Sequence, residues 1–225
     1  MNKYIIKLLL FFNICINIIF YIIFIILLLV SAYALYDSYQ IYDSTKIEEI
    51  NVESPLDDFN YPNVIGYINI KDTTISYPIL KGNDNIEYLS KTYKGEYSFS
   101  GSIFLDYRNS SDFSDEYSII YGHSLKKGGM FSDIKKYKDK DYFDNHLNGK
   151  LYLKDIVYDI EVIMISKVKY SDGIYNLNTN NIISHLMKSS INKVGIIDKN
   201  NRILILSTCS SSSKIDRLII VSFLK

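Results

Sequence analysis

The first strong feature of the sequence is a continuous apolar stretch near its N-terminus. The stretch runs from Leu8 to about Leu35 and is interrupted only by Asn13, Asn17 and Ser31. About 24 helical residues at a rise of ~1.5 Å span ~36 Å, which exceeds the ~30 Å hydrocarbon core of a bilayer. The pattern therefore predicts a transmembrane anchor over residues 8–35.

The charges that flank this stretch indicate its orientation. Lys3 and Lys7 precede it, whereas acidic residues follow it. Under the positive-inside rule, residues 1–7 form a cytoplasmic tail and the rest of the chain lies outside the membrane. A cleaved signal peptide is the alternative, since Ala32-Tyr33-Ala34 resembles a cleavage site. The apolar run is much longer than the ~7–15 residues of a signal core, so a retained single-pass anchor is favoured.

Helical spacing continues beyond the predicted span. Leu35, Tyr39 and Tyr42 recur at intervals that favour a helix to about Ile50, and Ser54-Pro55 marks a boundary. Residues 36–60 are therefore predicted to be a stalk or an N-terminal helix, and residues 61–225 a separate domain.

In residues 61–225 the pattern changes to short runs rich in Ile, Val, Tyr and Thr. Runs of this kind are typical of β-strands, and many of them in one domain favour a barrel or a sandwich. The predicted strands are Val64–Ile70, Thr73–Leu80, Ser102–Leu105, Tyr117–Tyr121, Lys150–Leu153, Val157–Lys169, Arg202–Thr208 and Leu218–Phe223. Turns are expected at Lys71-Asp72 and Asn148-Gly149.

Two helices are predicted between these strands. The first follows Gly128-Gly129, and its apolar positions are Met130, Phe131, Ile134 and Tyr137. The second has apolar positions at Ile182, Ile183, Leu186, Met187 and Ile191. In both helices the apolar residues have helical spacing, so these side chains are expected to contact the core.

Composition narrows the possible functions. The 225 residues have a formal net charge of zero, so no nucleic-acid partner is expected. The chain has two cysteines. Cys15 lies inside the predicted span and Cys209 outside it, so they cannot form a disulfide. An unpaired cysteine outside the cytoplasm is a candidate reactive thiol or a partner in an intermolecular disulfide. The alternative is a buried core residue.

A reactive thiol requires a nearby base or cation. Of the three histidines, His146 and His185 are predicted to be exposed, whereas His123 directly follows the apolar run Ser118–Gly122. Cys209 ends a similar run, and Arg217 follows it eight residues later. If the two strands form a hairpin centred on Ser213, Cys209 and Arg217 are direct neighbours across it. A surface ion pair of Arg217 with Asp216 or another acid is an equal alternative.

Metal-binding and phosphate-binding motifs are not evident in the sequence. It contains neither a C-x-x-C nor an H-E-x-x-H pattern, and Gly128-Gly129 alone is a weak signal. No metal or other cofactor is expected.

These residues resemble the sortase family in a consistent order. Leu206-Ser207-Thr208-Cys209, with Arg217 after it and Tyr121-Gly122-His123 before it, is similar to class B sortases. Three further stretches agree with that resemblance over residues 60–225, namely Tyr77–Gly82 running into Asn85 and Tyr88-Leu89, then Gly101–Asn109, then Met130-Phe131.

The resemblance implies a fold and an activity. The expected fold is mainly β, a closed eight-stranded barrel with peripheral helices behind the transmembrane helix. The expected activity is cleavage of a C-terminal sorting signal of secreted proteins after Thr, with transfer of the acyl group from Cys209 to an amine of peptidoglycan or of its lipid-linked precursor. His123 would be the general acid and base, and Arg217 would stabilise the transition state. Residues implied to line the substrate groove are Asn85, Leu89, Tyr121, Ser207 and Tyr175.

Alternatives remain at this point. The sorting motif can be of the N-P-x-T type or similar to L-P-x-T-G. An L,D-transpeptidase-like enzyme would have glycine directly before its cysteine, where this chain has Thr208. A non-catalytic surface module with the same fold would leave the thiol at Cys209 inert.

Overall fold

The computed structural model describes residues 3–45, 55–57, 61–125, 128–177, 181–195, 201–209 and 216–225. Side chains are described for these residues except 40–45 and 209. The chain forms two compact units, Met1–Asp43 and Ser44–Lys225.

The N-terminal unit is a single helix, α1 (Lys3–Thr45). Its Lys3–Tyr39 portion has a mean hydropathy of 3.0 in its most apolar window, and that window is not buried against the protein. A helix that is apolar on all sides requires an apolar surrounding. The helix is therefore long and apolar enough to cross a membrane. The expected continuation to about Ile50 reaches residues 46–50, which lie outside the described part of the chain.

Nine β-strands occur among the described residues. They are β1 (Val64–Ile70), β2 (Ser76–Lys81), β3 (Ile103–Leu105), β4 (Tyr117–Gly122), β5 (Asn148–Tyr152), β6 (Val157–Lys169), β7 (Ser190–Lys193), β8 (Arg202–Cys209) and β9 (Asp216–Leu224). The sequence pattern predicts all of these except β7, which is only four residues long and mostly polar.

Eight of the strands close into a barrel. Their order is β5-β1-β2-β3-β4-β8-β9-β6, and the pairing of β5 with β6 closes the ring. β7 pairs with β6 outside that ring. Two neighbouring pairs are parallel, β2 with β3 and β4 with β8, and the others are antiparallel. The predicted closed eight-stranded barrel is confirmed.

Both faces of the strands that build the site are buried. In β8, Leu204 and Leu206 belong to the core inside the barrel, whereas Ile203 and Ile205 belong to a second core outside it. Successive side chains of a strand point to opposite faces. This is why β8 is a continuous apolar run rather than an alternating one.

The outer core lies beneath two short helices. They are a 3₁₀ helix, Gly173–Asn176, and α3 (Ile182–Met187). Ile174, Ile182 and Leu186 are buried there against Ile205 and Ile219. The second predicted helix is therefore present, but Ile191 is not part of it and lies in β7.

The first predicted helix is a 3₁₀ helix that begins after Met130 and Phe131, and a second short helix follows it. A 3₁₀ helix covers Ser132–Lys138, and α2 covers Lys140–Asn145. Phe131, Ile134 and Tyr137 are fully buried in the barrel core, as their spacing predicts. A further 3₁₀ helix, Glu87–Leu89, lies between β2 and β3.

Of the two predicted turns, Lys71-Asp72 is confirmed and Asn148-Gly149 is wrong. Lys71-Asp72 forms a turn after β1, and Asp72 has a positive φ of 60°. Asn148-Gly149, in contrast, begins β5 and pairs with β1 and β6. A Cβ atom at Gly149 would lie 2.6 Å from the Asn69 carbonyl oxygen. Glycine is therefore required there by the close approach of β1 rather than by a turn.

Candidate active site

Three adjacent strands bring the candidate catalytic residues together. β4 runs parallel to β8, with Tyr121 opposite Ser207 and Gly122 opposite Thr208. β9 runs antiparallel to β8, and Cys209 is opposite Arg217. The register predicted for these two residues is therefore confirmed, although residues 210–215 between the strands lie outside the described part. His123 follows β4 directly. Because Gly122 is opposite Thr208, the backbone of His123 lies beside the end of β8.

A cavity of about 330 Å³ opens at this end of the three strands. Its described lining comes from β3, β4, β8 and β9, from the segments 85–89 and 170–175, and from Arg108 and His123, which follow β3 and β4. The lining residues are Asn85, Leu89, Phe104, Arg108, Tyr121, Gly122, His123, Tyr170, Tyr175, Ser207, Thr208 and Arg217. Every predicted site residue whose side chain is described is in this set.

His123 is oriented by a backbone carbonyl. Its Nε2 lies 2.9 Å from the carbonyl oxygen of Leu89. Because a carbonyl can only accept a hydrogen bond, Nε2 carries the proton, and Nδ1 of a neutral ring is left able to accept one. The same carbonyl oxygen lies close to Gly101, which has a positive φ of 57° and where a Cβ would approach it to 2.6 Å.

The other two histidines are held elsewhere in the fold and are not among the described lining residues. The ring of His146 stacks on Tyr142 with centroids 3.8 Å apart. His185 Nε2 lies 2.8 Å from a carboxylate oxygen of Asp172. Both side chains are half-buried rather than exposed as predicted, because each has a specific partner.

Gly122 is required by close packing beside His123. A Cβ atom there would lie 2.4 Å from Ile103 Cδ1 and 2.7 Å from Phe131 Cδ2. We expect Gly122→Ala to lower the free energy of unfolding by about 1–3 kcal/mol, as overpacking of a core does. Urea unfolding of the full-length protein in detergent, followed by near-UV circular dichroism, measures this.

Gly195→Ala is the matched control for this substitution. A Cβ at Gly195 meets nothing within 4 Å, so the change should stay within about 0.5 kcal/mol. Equal destabilisation by the two substitutions would contradict the packing explanation.

Arg217 lines the cavity. The carboxylate of its neighbour Asp216 contacts Lys167. Arg217 Nη1 donates to the backbone carbonyl of Asp216 at 3.2 Å. The Asp216 carboxylate is 2.8 Å from Lys167 Nζ, so Lys167 is an ionic partner of Asp216.

Two tyrosines form one wall of the cavity. The rings of Tyr121 and Tyr175 stack with centroids 6.3 Å apart and an interplanar angle of 26°. The Tyr175 hydroxyl is 2.8 Å from Ser207 Oγ. This contact joins the segment between β6 and α3 to β8, two residues before Cys209.

Behind this wall lies an ion pair, Asp106 and Arg108, that was not among the predicted site residues. Asp106 is buried, and its carboxylate accepts from Arg108 Nε at 2.9 Å and from Arg108 Nη2 at 2.7 Å. It also accepts from Asn85 Nδ2 and from the Tyr121 hydroxyl, each at 2.9 Å. The available signal was an acid and an arginine two residues apart directly after the apolar strand β3.

The electrostatics of this pair follow from its contacts. Burial alone would raise the pKa of Asp106, but hydrogen bonds from Arg108, Asn85 and Tyr121 together hold that pKa below its usual range. Burial, followed by the charge of Asp106, raises the pKa of Tyr121. Tyr121 therefore remains a phenol that donates to Asp106.

Asp106 should make stability depend on acid. Because its folded pKa lies below the unfolded value of ~3.9, its contribution is complete above that value and is lost as the pH falls through the folded pKa. We expect the stability difference between wild type and Asp106→Asn to shrink as the pH is lowered from 5 towards 2. Urea unfolding at a series of pH values measures it, and Asp155→Asn, at an exposed site, controls for the change in charge. A difference that does not change with pH would contradict the assignment.

The comparisons with known proteins agree with this geometry. The family model of the sortase domain matches residues 68–224. The chain is 32% identical to sortase B of Listeria monocytogenes over 164 residues, which are 69% of this chain and 66% of that protein. It is 27% identical to sortase B of Staphylococcus aureus over 169 residues, 71% of this chain and 69% of that protein. The chain thus spans about two thirds of the length of these curated relatives.

Solved structures show the same similarity. A class B sortase of Streptococcus pyogenes that is involved in pilus biogenesis superposes with a TM-score of 0.70 and 31% identity. The match covers 78% of this chain and 100% of that one. Sortase B of Clostridium perfringens superposes with a TM-score of 0.68 and 28% identity over 77% of this chain and 99% of that one.

The barrel and the family match together define the class of protein. This chain belongs to the sortase family. Within that family its similar relatives and structural neighbours are class B sortases.

Proposed function

We propose that this protein is a membrane-anchored cysteine transpeptidase that cleaves a C-terminal sorting signal of secreted proteins after Thr. It transfers the acyl group to an amine of peptidoglycan or of its lipid-linked precursor. The observation that supports this most strongly is the strand register, in which Cys209 is opposite Arg217 and next to the strand that ends before His123.

The first chemical step is acylation of Cys209. The thiolate sulfur attacks the carbonyl carbon of the Thr residue in the signal, and the carbonyl oxygen becomes an oxyanion that the Arg217 guanidinium stabilises. When the C–N bond breaks, the leaving nitrogen takes a proton from protonated His123, and a thioester remains on Cys209.

The second step regenerates the enzyme. The acceptor amine attacks the thioester carbonyl and gives a proton to Nδ1 of His123. The C–S bond then breaks and returns the thiolate. Throughout both steps the Leu89 carbonyl accepts from His123 Nε2–H, which fixes the orientation of the ring and leaves Nδ1 to exchange the proton.

The cavity supports a role for the predicted groove residues. Leu89, Tyr121, Tyr175, Ser207 and Asn85 line it and would bind the signal on the amino side of the scissile bond. Asn85 acts mainly as part of the wall, since its amide donates to Asp106 and accepts from the backbone N–H of Tyr107.

The proposed organisation follows the apolar helix. Residues 1–7 would be a cytoplasmic tail, 8–35 the anchor, 36–60 a stalk, and 61–225 the extracellular catalytic domain. The Lys3–Tyr39 stretch, which has the composition of a membrane span, supports an anchored protein.

The test is a peptide panel presented to the full-length protein in detergent. It contains N-P-x-T-type and L-P-x-T-G-like signals, with and without an amine acceptor such as oligoglycine. We expect cleavage of one class after Thr, and formation of the amide product when the acceptor is present. A folded protein that cleaves no signal and whose thiol at Cys209 resists a methanethiosulfonate reagent would instead be a binding module.

Arg217 gives a further prediction. We expect Arg217→Gln to lower kcat about 10²-fold, in the range for loss of one oxyanion donor. Arg202→Gln removes the guanidinium at the opposite end of β8, where it contacts Phe113 and Tyr158, and should leave kcat within about twofold. Similar losses in both variants would exclude a specific role for Arg217.

A further inference from the structure

Arg108 lines the cavity but donates its hydrogen bonds to the protein. Its side chain is 33% exposed, whereas that of Asp106 is completely buried. Besides the fork to Asp106, Arg108 Nη2 donates to the backbone carbonyl of Tyr175 at 2.6 Å. One guanidinium thus joins the end of β3 to the segment between β6 and α3, which is far away in the sequence.

Asp106 extends the connection to the remaining walls. Its carboxylate accepts from Asn85, in the segment between β2 and β3, and from Tyr121 in β4. Each carboxylate oxygen is therefore used, and the buried negative charge is compensated by Arg108. Three other segments of the cavity wall are therefore bonded to this one pair.

The contact with Tyr175 adds to other contacts that hold its segment, among them the burial of Ile174 in the outer core. Tyr175 lies in the 3₁₀ helix Gly173–Asn176, and the side chain of its N-cap residue Asp172 accepts from Ile174 N. The Tyr117 hydroxyl donates to the Ile174 carbonyl at 3.1 Å. The Tyr175 side chain then projects onto Tyr121 and Ser207.

We propose that Asp106 and Arg108 are positioning residues that fix the Tyr121–Tyr175 wall of the groove for the sorting signal. This rests on the proposed function, because the ligand that the wall binds is the signal peptide. The pair acts on binding of the peptide and not on the thiol, since its contacts go to wall residues. Loss of the Arg108 fork frees the Tyr175 segment and weakens signal binding.

The substitution that tests this is Arg108→Lys. A lysine keeps the charge, but a single ammonium cannot bond both Asp106 oxygens and the Tyr175 carbonyl in the same planar geometry. We expect KM for the signal peptide to rise about tenfold, the low end for one lost charge-assisted hydrogen bond. kcat and the labelling rate of Cys209 by a small thiol reagent should stay within about twofold, because the wall and not the reacting groups is altered.

The control is Arg202→Lys, the same substitution at an arginine that bonds Phe113 and Tyr158 instead. A double-mutant cycle with Tyr175→Ala identifies the route. If Arg108 acts through Tyr175, Arg108→Lys adds less than about twofold to KM in that background. A full additional tenfold rise would overturn the proposal, as would an unchanged KM or a parallel fall in thiol labelling.

Amide hydrogen exchange tests the positioning role of Arg108 independently of any peptide cleavage. In full-length protein in detergent, Arg108→Lys should speed amide exchange in a peptide covering 173–176, and Arg202→Lys should not. Unchanged exchange there overturns the positioning role whatever the activity. If wild type turns over no signal, the proposed function fails and the exchange result alone decides about the pair. If Arg108→Lys does not fold, the charge-neutral Asp106→Asn/Arg108→Gln double variant replaces it with the same expected outcomes.

Discussion

Replacement of Cys209 by alanine should lower the turnover of a sorting-signal peptide by at least about 10⁴-fold, as removal of a covalent nucleophile does in other acyl-transfer enzymes. The proposed mechanism has no bond-forming step on the enzyme without the sulfur. Peptide cleavage by full-length protein in detergent measures the loss. Intact-mass analysis after mixing with substrate should show an acyl adduct on wild type and none on Cys209→Ala.

The second cysteine of the chain is the internal control. Cys15 lies in α1, in a compact unit separate from the barrel. Cys15→Ala should therefore keep turnover within about twofold. Persistent cleavage by Cys209→Ala, or an acyl adduct that moves to another residue, would show that Cys209 is not the nucleophile.

Much of the barrel could be predicted because several of its strands, β8 and β9 among them, are buried on both faces. Apolar runs such as Ile203–Leu206 predict strands even when the neighbouring strands are unknown. The predicted ranges Val64–Ile70 and Val157–Lys169 are the same as those of β1 and β6. β7 was missed because its side chains are exposed or half-buried, so no apolar pattern marks it. Gly149 was misread because glycine serves close approach as well as turns.

The candidate site was predictable to the extent that it lies on regular strands. The spacing from Cys209 to Arg217 fixed their register once the two strands were paired without a bulge. Asp106 and Arg108 were not predicted, because their roles depend on Asn85, Tyr121 and Tyr175, which come from distant segments. Contacts between segments that are distant in the sequence cannot be predicted from the spacing of residues within one segment.

His123→Gln is expected to lower kcat about 10³-fold, within the range of general acid–base catalysis. Glutamine can still donate to the Leu89 carbonyl, which His123 Nε2 contacts at 2.9 Å, but it cannot exchange a proton. The variant therefore removes proton transfer while it keeps a similar hydrogen bond. Single-turnover measurements should show slower formation of the thioester, and also slower transfer to the amine, because the same ring acts in both steps.

His146→Gln is the matched control for His123. The ring of His146 stacks on Tyr142, and its Nδ1 is 2.7 Å from the Tyr142 carbonyl oxygen. Its loss should lower stability while kcat of the folded fraction stays within about twofold. If His123→Gln slows only one of the two steps, a different group must serve as acid or base in the other. If both histidine variants lose activity equally, the selection of His123 is wrong, and strand position does not identify the base.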